Sequence, residues 1–398
     1  MRVLITGTTY HPAHNGQAVF TTHLAEGLAR RGHTVTVAVP ALRGQERHTE
    51  RNGVAVHALR ALSLGRWHPE AALPLFPGQA LRGIMATARP EIVHVHDHYP
   101  MSRLAVRLAR RLGARVIGTN HFVPDNLKPY LPLSHLAGRA YDRLLWWWML
   151  DLYNRLDVAI APSATAADIL RASGLRIPVH PVSCGVDVHR FRPMPDLDRA
   201  AWRRRYGLDE RRKFCLYVGR LDGEKGVDVL LRAMRLLDRD DMILGIVGKG
   251  AARPALEELA RALGLGARAV FVGFVPDEDL AALLNSADVF VMPSAAELLS
   301  IATLEAMACA RPVVVARAHA LPELVSDGDN GYLFTPGDAA DAAECLARVA
   351  DEPGRWPMMG AESRRRAMAH GLDDILQRYE EMYQLMLSAW PSAVLASD

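Results

Sequence analysis

Residues 213–234 read KFCLYVGRLDGEKGVDVLLRAM. An apolar run, KFCLYV, ends at Gly219. A short charged loop follows, and then Val227, Leu230, Leu231 and Met234 recur three and four positions apart. A continuous apolar run reads as a strand buried on both faces, and the spacing after it reads as a helix packed against the sheet. The unit is strand, loop, helix. It recurs along the whole chain. RVLITG, HTVTVAV, GVAVHAL, EIVHVH, ARVIGT, LDVAIAPS and IPVHPVS repeat it before residue 184, and MILGIVG, RAVFVG, ADVFVMPS, RPVVVA and NGYLF repeat it after residue 213. Two such series predict two parallel sheets covered by helices, which is an α/β chain of two doubly wound Rossmann-like domains.

The break between the series falls in CGVDVHRFRPMPDLD, residues 184–198, where Pro193 and Pro195 interrupt any regular element. The expected domains are 1–190 and 191–370. The tail, GLDDILQRYEEMYQLMLSAW, reads as an amphipathic helix with no strand after it. Residues 371–398 are therefore expected to pack back on the first domain.

A chain of 398 residues, half of them apolar, accommodates two domains. MRVLITGTTY reads as a buried strand, not as a signal peptide, and no apolar run approaches the roughly 20 residues that span a bilayer. Cys184, Cys215, Cys309 and Cys345 are scattered without CxxC spacing. A reduced, cytoplasmic protein without a structural zinc site is the expectation. The net charge of +3 hides an asymmetry. Residues 1–193 carry 23 Lys+Arg and 12 Asp+Glu, a net of +11, and the remainder carries 24 and 32, a net of −8. The first half should meet an anionic partner more readily, unless the difference is only drift in surface charge.

Ligands of parallel sheets sit beyond the carboxyl ends of the strands, so the residues just after each strand carry the information. After the first strand, Gly16 precedes a helix whose amides can face an anion, although the GxGxxG fingerprint is absent. After KFCLYV, Gly219 permits close backbone approach, and Arg220 and Lys225 straddle a loop that opens a helix. Two cations beside a helix N-terminus suit a diphosphate. The plain alternative is a solvated charged loop. After ADVFVMPS comes SAAELLSIATLEAM, with Glu297 and Glu305 among small and apolar residues. Ser300 has N-cap character, so Glu297 is expected in the loop and Glu305 in the helix, with the amides of Ser300 and Ile301 between them. Capping or ion pairing is the alternative use of these carboxylates. The run Asp238, Asp240 and Asp241 reads as a solvated turn, not a metal site.

GRLDGEKGVDVLLRAM, the eight-residue separation of Glu297 and Glu305, LEAMACARPVV, NGYLFTPGD and VSCGVDVHRFRP together resemble the retaining nucleotide-sugar glycosyltransferases of family four. The likeness runs in order from Asn15-Gly16 to Gly337. It implies the GT-B fold, with two Rossmann-like domains facing across a cleft, the acceptor on the first and the sugar-nucleotide donor on the second. By the resemblance, Arg220 and Lys225 hold the donor diphosphate and Gly16 and Gly219 let backbone approach it. Glu305 takes the ribose hydroxyls, Glu297 lies near the sugar, and Ser300 and Ile301 offer amides. Phe274 and Val275 meet the base. His121, in GTNHFVPDN, corresponds to the histidine that reaches the sugar; read without the likeness it is a loop or core histidine. His121, Glu297, Arg220 and Lys225 are then the catalytic set. Fixed cations and helix amides would stabilise the departing nucleoside diphosphate, so no metal or other cofactor is expected. Front-face displacement is expected over a covalent intermediate.

Two departures bear on the donor sugar. Leu299 and Ser300 stand where the family often has Phe-Gly, and AHALPELV replaces a commonly glycine-rich segment. The acceptor is open. GTNHFVPDNLKPYLP and ELLSIATLEAMA resemble the diacylglycerol-glucosylating branch. In RLAVRLARRLGAR, Arg103, Arg107, Arg110 and Arg111 share about 100° of a helix, and three consecutive tryptophans in LLWWWML sweep about 200°. Such features suit an anionic membrane face, with peripheral association at the inner leaflet. They equally suit a solvated helix and core. No nucleic-acid partner is expected. The rival activities are transfer to a soluble small molecule, a nucleotide-sugar epimerase, an NAD-dependent oxidoreductase and a non-enzymatic sugar-binding protein.

Overall fold

The computed structural model describes residues 1–13, 15–41, 46–63, 72–124 and 135–388. The segment 125–132, part of the likeness to the diacylglycerol-glucosylating branch, and the end of the tail, 389–398, lie outside the described residues. The chain divides into two compact units. One gathers the described residues of Met1–Pro124, Leu133–Cys184 and Asp373–Asp398, and the other those of Gly185–Leu372.

The first unit runs β1 (Arg2–Thr6), α1 (Gly16–Arg30), β2 (Thr34–Pro40), β3 (Arg47–Arg51), β4 (Val54–Leu59), β5 (Ala61–Ser63), β6 (Ala72–Pro74), α2 (Gly78–Ala88), β7 (Ile92–Val95), α3 (Pro100–Arg111), β8 (Arg115–Thr119), α4 (His135–Tyr153), β9 (Val158–Ala161), α5 (Ala164–Ala172) and β10 (Val179–Pro181). Among the described residues the main sheet has the order β10-β9-β8-β7-β1-β2-β4-β3. Its pairings are parallel except for β3, which runs antiparallel to β4. The search for apolar runs passes over β3, because RHTER is polar and exposed at the sheet edge. Charge on an edge strand discourages pairing with another chain. β5 and β6 form a separate antiparallel ribbon.

The second unit runs α6 (Arg199–Arg205), β11 (Lys213–Val218), α7 (Val227–Leu237), β12 (Met242–Val247), α8 (Arg253–Ala262), β13 (Ala269–Gly273), α9 (Asp277–Ser286), β14 (Val289–Met292), α10 (Ile301–Ala308), β15 (Val313–Ala316), α11 (Leu321–Leu324), β16 (Gly331–Phe334), α12 (Ala339–Asp351) and α13 (Trp356–Met368). The sheet order is β13-β12-β11-β14-β15-β16, parallel throughout. The strands are apolar along their length because both faces are covered, and Phe214, Leu216, Phe290 and Val314 are fully buried.

The last helix, α14 (Leu372–Ser388), packs into the first unit as expected, burying Ile375, Leu376, Tyr379 and Tyr383. Its seat requires a glycine: a Cβ on Gly27 of α1 would lie 2.4 Å from Leu376 Cδ1. Polar bonds fix it as well. The Tyr383 hydroxyl lies 2.7 Å from His94 Nδ1, and Arg115 Nε donates to the carbonyl of Met386 at 2.9 Å.

Candidate active site

Strand order alone points to two places. In the second unit the connections wind one way from β11 to β13 and the other way from β14 to β16, so the switch lies between β11 and β14. In the first unit it lies between β1 and β7. A doubly wound sheet opens a crevice at such a switch, beyond the carboxyl ends of the strands.

At the β11/β14 switch, the loop after β11 carries Gly219, Arg220 and Lys225, and the loop after β14 carries Glu297. The two are joined: Lys225 Nζ donates to Glu297 Oε1 at 2.8 Å, with Glu224 a further 3.8 Å neighbour of the ammonium. Both members of the pair are largely buried, so the carboxylate and cation are desolvated together and hold each other. Arg220 is not a loose surface cation. Its guanidinium is ion-paired with Asp222 and Glu224, whose side chains are themselves buried. Its backbone carbonyl accepts from the Tyr217 hydroxyl at 2.7 Å. The neighbouring loop after β12 presses against this backbone, and only glycine fits: Gly248 has φ +142°, and a Cβ there would sit 1.8 Å from the Gly219 carbonyl oxygen. The cationic loop is therefore held by carboxylates, by a tyrosine hydroxyl and by the backbone of the neighbouring loop.

α10 begins as the sequence suggested. Ser300 is the N-cap, and its hydroxyl oxygen accepts from the Thr303 amide at 3.3 Å. Among the described residues the amides of Ser300 and Ile301 donate to no protein acceptor. They remain directed along the helix start, where an anion is favoured. Glu305, the fifth residue of α10, is half-buried, and burial pushes its carboxyl up to about 8, against the lowering effect of Arg190. Arg190 is itself paired with Asp277, at 2.8 Å. Beyond β13, Val275 is buried and Phe274 is 45% exposed. Adjacent strands lie about 4.8 Å apart, so the ends of β11 and β13 are separated by roughly 10 Å. Lys249 lies there too, its Nζ 4.5 Å from the Phe274 ring centroid. The chain has only four lysines, Lys128, Lys213, Lys225 and Lys249, and that scarcity marks each of them, although the sequence assigns Lys249 no role.

At the β1/β7 switch of the first unit, Asn15 caps α1 by accepting from the Ala18 amide at 2.8 Å, and Gly16 opens that helix, exposed. His121 follows β8, with its Nε2 3.1 Å from His96 Nδ1. Burial pushes its imidazole down to about 3, so it is neutral at ordinary pH. The sequence reading took EIVHVHD only as a strand. The structure places His94, His96 and Asp97 at the strand's end, all buried. Burial lifts the Asp97 carboxyl to about 6. His96 Nε2 and Gln17 Nε2 are buried with no partner among the described residues. Both flank Gly7, where a Cβ would lie 3.0 Å from Gln17 Nε2 and 3.2 Å from His96 Cβ.

The basic face of α3 is half committed. Arg103 pairs with Asp151 at 2.6 Å and stacks over Trp148 at 3.9 Å, and Arg110 pairs with Asp157 at 2.7 Å. Arg107 and Arg111 stay exposed. Of the three tryptophans on α4, Trp146 is half-buried while Trp147 and Trp148 are exposed. The Asp238–Asp241 turn is bound up in ion pairs, Asp238 with Arg235 and Asp241 with Lys213 and Arg239. Among the described residues no group of three or more His, Cys, Asp or Glu could hold a metal ion, and the four cysteines are free and buried.

Each unit carries a Rossmann-like sheet, and one sheet has paired cations and carboxylates at its switch point, an architecture found in the GT-B class of sugar-transferring enzymes. Residues 14–190 match the family model "Glycosyltransferase Family 4", and residues 198–368 match "Glycosyl transferases group 1". The chain is 31% identical over 350 residues to the GDP-mannose-dependent alpha-(1-6)-phosphatidylinositol monomannoside mannosyltransferase of Mycolicibacterium smegmatis, covering 85% of this chain and 86% of that one. It is 36% identical over 329 residues to the D-inositol 3-phosphate glycosyltransferase of Streptomyces griseus, covering 74% and 67%. The sucrose-phosphate synthase of Thermosynechococcus elongatus superposes with a TM-score of 0.83 at 23% identity, over 98% of this chain and all of that one. The chain belongs to the family 4 glycosyltransferases.

Proposed function

We propose that the protein transfers a hexosyl group from a nucleoside-diphosphate sugar to an acceptor hydroxyl, with retention of configuration and without a metal. The observation that carries this reading is the Lys225–Glu297 pair across the β11/β14 switch, flanked by Arg220 and by the amides that open α10. The residues divide the work by chemistry. Arg220 and Lys225 take the diphosphate and stabilise the charge that develops on its leaving oxygen. One such preorganised donor is worth about 2–4 kcal/mol in the barrier. An incoming diphosphate competes with carboxylates already paired to these cations, so they need no reorganisation beyond exchanging partners. Gly219 and Gly16 admit the phosphates to the backbone, and Ser300 and Ile301 donate amides. Glu305 accepts from the ribose hydroxyls. Phe274 and Val275 bound the base. Glu297 and His121 contact the sugar.

For the acceptor we keep the membrane-lipid reading, with a soluble polyol as its rival. One relative carries a phosphatidylinositol monomannoside in its name, which supports the first, and another carries D-inositol 3-phosphate, which supports the second.

Binding to the native state raises apparent stability, so thermal shifts with UDP-glucose and GDP-mannose find the donor. Lys225→Ala and Glu297→Gln should then lose transfer by about 100-fold or more while circular dichroism stays native. Near-full turnover by either variant would remove the assignment. Removing Lys225 leaves a buried carboxylate unpaired, which destabilises; the milder Glu297→Gln keeps the test decisive.

A further inference from the structure

The proton inventory around His96 is closed enough to assign a tautomer. The Thr21 hydroxyl donates to the carbonyl of Gln17 at 2.7 Å, so its one hydrogen is used. The same oxygen lies 3.4 Å from His96 Nδ1 and can only accept there. A proton on His96 Nδ1 meets this acceptor, whereas a bare Nδ1 would leave the contact without a hydrogen. That nitrogen is also 3.1 Å from His121 Nε2, which must then accept. His121 is left with its proton on Nδ1, the nitrogen that has no protein partner among the described residues. The assembly is rigid. His96 is 1% exposed and lies between the His94 ring, at 4.3 Å, and the His121 ring, at 5.3 Å and nearly parallel to it. His94 is pinned at both nitrogens, by Tyr383 at 2.7 Å and Thr119 at 2.8 Å. Phe20 backs both His96 and His121.

We propose that His96 is a positioning residue that fixes His121 as the Nδ1–H tautomer, so that His121 meets its ligand as a neutral hydrogen-bond donor and never as a proton acceptor. The tautomer stands on the geometry alone. Its effect on turnover rests on the reading that His121 contacts the sugar. A second nitrogen of a histidine sets what the first can do, as in any orienting pair.

Long-range proton–nitrogen correlation spectra of the full protein, labelled with nitrogen-15 histidine, test the assignment. The wild type should show His121 protonated at Nδ1 and bare at Nε2. His96→Asn places an amide N–H near the lost Nδ1–H and should keep that pattern. His96→Phe should shift His121 toward Nε2–H. Thr21→Val, which removes only the hydroxyl, should weaken the preference if His96→Phe fails to fold. Release of UDP or GDP from UDP-glucose or GDP-mannose should fall about tenfold in His96→Phe, the worth of one neutral hydrogen bond, and recover in His96→Asn. A His121 protonated at Nε2 in the wild type overturns the inference, as does an unchanged spectrum in both His96→Phe and Thr21→Val. A confirmed tautomer with full turnover in His121→Ala would instead remove the sugar-contact role and leave the tautomer standing.

Discussion

Glu305 shows how one half-buried side chain ties stability to pH. Its folded pKa, about 8, lies above the ordinary value of 4.5 because burial disfavours the charge. The folded state then holds a proton that the unfolded state has released. Stability contributed by this group is present below about pH 4.5 and is lost as pH rises toward 8. Urea titrations between pH 5 and 8 should show the wild type weakening over that window, with Glu305→Gln following a flatter course. An identical slope in the two proteins would show that Glu305 titrates normally. Much of this chemistry was visible in the sequence, because a glutamate between Leu304 and Ala306 is out of place without a ligand or partner. His96 was not visible in the same way. It directly follows the apolar strand β7, and nothing in EIVHVH tells which histidine faces a neighbour 25 residues on. Pairings of that kind are made by strand order, which spacing within one segment does not encode.

At the scale of elements, strands and helices were legible wherever both faces of a strand are buried, since apolar runs then mark them. β3 escaped because its residues face water at a sheet edge. The helical wheel of α3 was legible, but its use was not. Arg103 and Arg110 anchor residues on or just after α4, and only Arg107 and Arg111 remain outward among the four. The proposed membrane surface would thus rest on those two cations with exposed Leu144, Trp147 and Trp148 of α4. Each surface-bound basic residue contributes about 1 kcal/mol to attraction by anionic lipid. Co-sedimentation with phosphatidylserine vesicles at low salt should therefore be measurable and weak. It should fall further in an Arg107→Glu, Arg111→Glu protein and disappear with added salt. No binding by the wild type at low salt would end the lipid-surface reading and leave the soluble acceptor.

Over the whole molecule, the sequence disclosed two Rossmann-like units and a returning tail, because periodic strands and a helix with no strand after it are long signals. The returning tail makes a sharp prediction. Tyr379 and Tyr383 are fully buried and complete the packing around His94 and Thr119. A chain ending at residue 371 should keep a cooperative transition for the second unit and lose that of the first, seen as fast amide exchange in β7 and β8 but protected amides in β11 and β14. Uniform protection in both units would show that α14 is dispensable.

The same arrangement governs the order in which a ribosome can finish the protein. Residues 185–372 form one unbroken stretch of chain and have every strand of their sheet once that stretch has emerged. The first unit is translated earlier, but two of its buried tyrosines are made after the entire second unit. Synthesis runs at about 5–20 residues per second, so the earlier unit lacks its last helix for roughly 10–40 seconds. The second unit to be translated is in this sense the first to be finished.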